Sequence, residues 1–498
     1  DQSSLTSGSR TETIRAQNLF FITTFDIKDR YVLDGLVRQD KSSLFGADAR
    51  TAVYNRLSAA WRVTEDFKIP GVDELKLRAS HGTAGLRPPF TAQYETWAVQ
   101  AGQPQKVNAG NTKLKPAFSQ ETEIGFNLNF LTNYSLEYSY SMKNTSDQIM
   151  QVPLSSALGY STQWQNAGTL DGHSHELALG AVLLSKKDYF WRVNITGDRT
   201  RQTITDLKVG TFLAGPDPST TNTQIFRIAK GQPFGVIYGS RWIKTAGQLQ
   251  ETIDAGKLSG TAAKYRLNEE GFYVDTGAYH TINEVPLKYF TCTAKTGTTC
   301  TASTSNVQIG DVNPDFNLGF NTTAQWKDFA LNATLTWVKG GNIYNYTRQW
   351  PFNELRDKII DQSGKPAATA AGGAPCPAIT VDAHCPYATG KKPTTYYSTF
   401  YNNFDPNDFF VEDGSYMRLR EVALNYNIPA KYVSKIPVGG FHSARLGLVG
   451  RNLWTSTKYS GYDPDVTGPG GGNPFAYRVD YFTYPAYRTF TMMLELGF

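Results

Sequence analysis

The side chains best suited to hold a ligand in this chain are aromatic. Tyr94 and Trp97, Tyr160 and Trp164, and Tyr344, Tyr346 and Trp350 form three clusters among amide and hydroxyl residues. Flat rings with polar tips suit sugar rings and peptide backbones equally well, and they serve as well to pack one loop on another. The sequence leaves both uses open. The cysteines number four and form two close pairs, Cys292/Cys300 and Cys376/Cys385. Each pair is read as a disulfide within its own loop, in an oxidising compartment. Metal chemistry has weaker candidates. His384 stands beside Cys385, His173 and His175 lie two apart, and Asp405-Pro-Asn-Asp408 and Asp463-Pro-Asp465 are acidic. None has the spacing of a zinc site or a calcium loop, and Asx-Pro turns account for the acidic pairs. There is no HExxH, GxSxG or Gly-rich phosphate loop, so the reading is a non-enzyme that needs no cofactor.

The elements that position these clusters are strands. In the last eleven residues, RTFTMMLELGF, Phe490, Met492, Leu494, Leu496 and Phe498 share one parity while Thr489, Thr491, Met493, Glu495 and Gly497 share the other. Side chains alternate across a strand, so one face is wholly apolar up to the final residue. The same pattern returns at 19–25, 31–38, 53–63, 75–82, 122–130, 134–142, 175–184, 189–198, 316–326, 330–338, 416–428 and 444–453, giving thirteen strands. The parity of 416–428 slips near Arg420, which predicts a bulge. Asn, Ser, Thr and Gly, rather than Lys and Glu, dominate the polar parity. That composition suits a wet barrel interior. Trp61, Trp326 and Trp337 stand on the apolar parity near strand ends, where a bilayer places its aromatic girdles.

The chain has 498 residues and a formal charge of only +5, with no basic block to suggest nucleic acid. No apolar run reaches the roughly 18 residues a membrane helix needs. If the chain crosses a bilayer it does so as a closed barrel, which satisfies every backbone group in lipid. Connection lengths point the same way. Connections at 26–30, 64–74, 131–133, 185–188, 327–329 and 429–443 are short or modest, and they alternate strictly with long ones at 39–52, 83–121, 143–174, 199–315, 339–415 and 454–487. An outer-membrane barrel sorts its connections so, with short periplasmic turns and long extracellular loops. Both cysteine pairs then fall in extracellular loops. The fold class is an all-β, antiparallel transmembrane barrel.

Several blocks carry a family resemblance: VLDGLVRQDKSSLFG (32–46), LKLRASHGTAGL (75–86), GQPFGVIYGSRW (231–242), GDVNPDFNLGFN (310–321), VEDGSYMRLREVALNYNIP (411–429) and ARLGLVGRNLWTSTKYSGYDPDV (444–466). In this order they resemble the SusC/RagA-type TonB-linked outer-membrane transporters. The resemblance implies a barrel of about 22 strands closed by an N-terminal plug. It implies uptake of oligosaccharides or peptides, energised through the TonB complex, with a SusD-like surface lipoprotein as lid. Phe498, with Phe490, resembles the signal read by the outer-membrane assembly machinery. Thirteen is an odd number and no plug or TonB-contacting segment is recognisable, so residues 1–498 are expected to be the C-terminal barrel portion of such a transporter. A passive or structural barrel, such as an adhesin binding through its loops, is the alternative.

Overall fold

A computed structural model describes residues 11–46, 50–215, 224–279, 283–361, 392, 394–401, 406–434, 440–466 and 477–498. Thirteen antiparallel strands follow one another in chain order across a single large sheet. They are β1 (Ala16–Ile27), β2 (Tyr31–Ser42), β3 (Thr51–Arg62), β4 (Val72–Leu86), β5 (Ala117–Phe130), β6 (Tyr134–Pro153), β7 (Thr162–Lys186), β8 (Tyr189–Leu207), β9 (Phe316–Trp326), β10 (Phe329–Lys339), β11 (Tyr416–Ile428), β12 (Ser443–Thr457) and β13 (Thr489–Gly497). Among the described residues β1 and β13 each have a single neighbour, β2 and β12, so the sheet has two free edges.

The registers chain together into one continuous face. Leu128 pairs with Leu75 and Leu136, Leu136 with Leu179, Leu179 with Ile195, and Ile195 with Phe320. From Phe320 the row continues to Leu335, Leu419 and Trp454, while Leu331, Leu424, Leu448 and Met492 form another. This face is apolar and meets lipid. Phe126, Leu446 and Leu494 lie on it, and Asn127, Asn129, Asn321, Asn332 and Glu495 lie on the opposite face. The bulge expected at Arg420 is present, because β11 shifts register between Leu419 and Glu421 against β12.

At the short-turn end the apolar face terminates in paired rings. Tyr31 stacks with Trp61 at 6.4 Å, Phe130 with Tyr134 at 5.4 Å, Trp326 with Phe329 at 6.1 Å and Phe329 with Tyr426 at 4.5 Å. Trp337 lies at the loop end, edge-on to Phe316 at 5.2 Å. Indole and phenol rings prefer the membrane–water boundary, so the two sets mark the margins of the bilayer. In the 64–74 connection the four-residue helix Val63–Asp66 presents Asp66 to this girdle, and the carboxylate accepts hydrogen bonds from Arg30, Tyr31 and Trp61.

Several loop boundaries need correction, and β8 runs on to Leu207, inside the 199–315 segment. The 143–174 segment is not one long loop, because β6 continues to Pro153 and β7 begins at Thr162. Above the bilayer a ladder still satisfies its backbone groups, but its outer face no longer needs apolar side chains, so the alternation that marks the lower strand fades. Likewise 83–121 contains a hairpin, Thr96–Gln100 with Gln103–Ala109, whose second strand runs parallel to the start of β7.

Candidate functional site

The polar face of the sheet is held by charge-assisted hydrogen bonds between neighbouring strands. Arg78 donates to Asn127 at 3.1 Å and to Glu137 at 2.9 Å, and also to Glu123 and Ser139. Gly125 leaves it room. A Cβ there would come within 3.1 Å of the guanidinium carbon and 2.6 Å of the Tyr138 carbonyl. Arg56 with Asp34, Arg62 with Glu74 and Arg451 with Glu421 repeat the arrangement along the sheet. Such a wall is wettable and hydrogen-bonding, which an apolar core would not be.

Above it, the segments from 199–315, 339–415 and 454–487 build a packed loop body. Its core includes Phe226, Trp242, Phe272, Tyr344, Phe352, Tyr396, Tyr397, Phe400 and Phe410, drawn from sequence-distant stretches. Polar ties run through it. Lys392, whose side chain is 1% exposed, bonds Glu284 at 2.5 Å and Glu269 at 2.9 Å. Arg420 bonds Asp465 at 2.6 Å, and Arg418 bonds Asp463. Burial raises the Asp463 pKa, but hydrogen bonds from Arg418 and from the backbone N–H groups of Asp465 and Ala486 outweigh it and hold the carboxyl below its usual range. The two aspartates are therefore occupied by arginines rather than arranged around a cation. Asp408 bonds Lys244 at 2.8 Å, and Asp405 lies outside the described residues.

The aromatic candidates separate into two places. Asn345 caps the helix Tyr346–Asn353, on which Tyr346 and Trp350 are four apart and so share a face, with centroids 6.2 Å from each other. Tyr344 and Tyr346 are 1% and 7% exposed. Tyr344 donates to Gln349 at 2.7 Å, and Tyr346 stacks on Tyr481 at 4.8 Å, with its hydroxyl pKa pushed up to about 12 by burial. These two rings pack loop against loop. Trp350 is exposed and lies edge-on to Phe482.

The second place is the hairpin beside β7. Its strand register brings Lys106 opposite Trp97, and the ammonium sits 5.4 Å from the Trp97 ring and 4.7 Å from Tyr160. Tyr94 and Trp97 are 55% and 54% exposed, so each ring keeps surface that a ligand can reach. Trp164 is half-buried on β7, and its carbonyl accepts from Asn111. Sequence reading missed Lys106 and Asn108. Asn108 is buried, and neither polar atom of its amide has a hydrogen-bond partner. An unsatisfied buried amide costs about 1–3 kcal/mol. A register shift sets Asn108 against Thr96 and Lys106 against Trp97, so simple alternation along the strand carried no signal of the pair.

Cys292 and Cys300 are joined across the hairpin Thr291–Thr296 with Thr299–Thr304, with Cα atoms 5.8 Å apart. Cys376, His384 and Cys385 lie outside the described residues. His173 and His175 are on β7, and among the described residues no group of three or more His, Cys, Asp or Glu side chains converges as a metal site.

A thirteen-strand antiparallel sheet with one apolar face, one polar face and its large loops gathered at one end has the architecture of an outer-membrane β-barrel wall. The chain belongs to the family described as TonB dependent receptor-like, beta-barrel, which matches residues 1–283. It is 26% identical to TonB-dependent receptor P3 of Formosa agariphila, covering 97% of this chain and 45% of that protein. It is 22% identical to TonB-dependent receptor SusC of Bacteroides thetaiotaomicron, covering 95% of this chain and 43% of that one. The fold matches the RagAB peptide transporter with a TM-score of 0.67 at 19% identity, over 97% of this chain and 47% of that chain. The chain thus spans about half the length of the curated relatives it matches.

Proposed function

We propose that this chain forms the C-terminal barrel portion of a TonB-energised importer of oligosaccharides or peptides, closed by a plug and further strands. The observation that carries the reading is the two-faced sheet. Its apolar face fits lipid, its polar face fits a hydrated passage, and the exposed aromatics stand at the loop end where a nutrient arrives. Homology to SusC and the shared fold with the RagAB transporter support import over a passive pore. By the same homology the loop body would meet a SusD-like lipoprotein lid, and the TonB complex would act from the periplasmic side. Tyr94, Trp97, Lys106 and Tyr160 would contact substrate through ring faces and a cation, with Trp350 a second contact.

Cells carrying the complete transporter should take up labelled oligosaccharides or oligopeptides only while TonB is present and the inner membrane is energised. Uptake that persists without TonB would mean a passive pore, and surface binding without uptake would mean an adhesin. Trp97→Ala should weaken substrate binding about tenfold or more, the scale of one stacked ring.

A further inference from the structure

The lipid-meeting face carries one group of residues that neither the transport reading nor the packing explains. Arg199 and Arg201 lie on β8, directly opposite His175 and His173 of β7. All four share the parity of Leu177, Leu179, Ile195 and Gly197, and so project from the outer face. Neighbours two apart on a strand are about 7 Å apart and cross-strand pairs about 5 Å, so four nitrogen-bearing side chains form a compact array.

Its height follows from strand geometry. Tyr189 marks the periplasmic girdle, and Arg199 is ten residues above it. Ten residues span about 33 Å, or about 25 Å of height at a tilt near 40°, which is the height of the apolar band. Arg199 and Arg201 therefore stand at the outer rim of the bilayer, and His175 beside them lies 4.8 Å from the Tyr140 ring.

Arg201 is partly engaged by the Pro314 carbonyl and by Asp315 at 3.5 Å, and His175 meets the Tyr138 hydroxyl at 2.8 Å. Arg199 is exposed, and its side chain has no hydrogen-bond or ion-pair partner among the described residues. The carboxylates nearby on this face are Asp315 and Asp171, and Asp171 accepts from Asn144. Asp315 answers Arg201 alone, so Arg199 beside it is left as an uncompensated cation that an anion would stabilise. At a bilayer rim, with exposed Leu177 directly below to receive acyl chains, charge complementarity selects an anionic lipid.

We propose that His173, His175, Arg199 and Arg201 bind the phosphorylated headgroup of an outer-leaflet glycolipid, anchoring β7–β8 at the membrane surface. The test uses the complete transporter in mild detergent, with phosphate-bearing lipid A and the same lipid after enzymatic dephosphorylation, read by native mass spectrometry. Phosphorylated lipid should be retained preferentially. Arg199→Gln should lower its retention about fivefold, the scale of one cation at an anionic surface, and Arg199→Lys should keep most of it. Equal retention of the dephosphorylated lipid, or unchanged retention in Arg199→Gln, overturns the proposal. Displacement by millimolar inorganic phosphate alone would mark a site for free anions and overturn the lipid assignment.

Discussion

Leu335 and Asn321 sit in the middle of adjacent strands, yet one meets lipid and the other the polar interior. Arg at Leu335 should cost roughly 2–4 kcal/mol, because a charge is forced towards the bilayer midplane, and Arg at Asn321 much less. Reversible denaturant unfolding of the complete transporter in lipid vesicles measures the difference. Equal costs would show that the faces are assigned one residue out of register. Asp463 gives a second residue-scale expectation. Its folded-state pKa is lowered, so the stability it contributes is present above the range where an unfolded aspartate titrates, roughly pH 4, and is lost as pH falls through the folded value. Hydrogen exchange should show the 454–466 segment loosening in acid, and Asp463→Asn should loosen it already at neutral pH. Protection unchanged by both would leave the Arg418 contact without an energetic role.

At the scale of elements, the Cys292–Cys300 hairpin is a small unit whose bridge closes a short loop. Reducing it should destabilise the hairpin by about 2–3 kcal/mol in the loop-entropy account while leaving the barrel strands intact. Proteolysis confined to 291–304 after reduction is the expected result, and global unfolding would contradict it. The barrel strands were legible from sequence because lipid demands apolar side chains at every second position, as in Phe316–Trp326 and Thr489–Gly497. Where β6 and β7 rise above the bilayer that demand ends, and their upper halves went unread. The loop body was illegible for a different reason. Lys392 and Glu284 are 108 residues apart, and Tyr346 meets Tyr481 from another loop, so local periodicity carries no trace of either contact. The burial of Tyr344 and the exposure of Trp97 follow from such long-range packing. Both are aromatic residues among polar neighbours, so composition does not separate them.

The whole molecule has one orientation in the membrane. Six turns lie on the periplasmic side of a thirteen-strand wall, and the other six connections, including the three that build the loop body, lie outside. The short turns at one end and the loop body at the other set that orientation. Single cysteines placed at Asn133 and Asp328 in the short turns, and at Gly256 and Gly271 in the loop body, test it directly in a background lacking the native cysteines. With a membrane-impermeant maleimide on intact cells expressing the complete transporter, Gly256 and Gly271 positions should label at once. Asn133 and Asp328 positions should label only after the outer membrane is permeabilised. Labelling of the short-turn positions on intact cells, with the loop positions protected, would contradict the account.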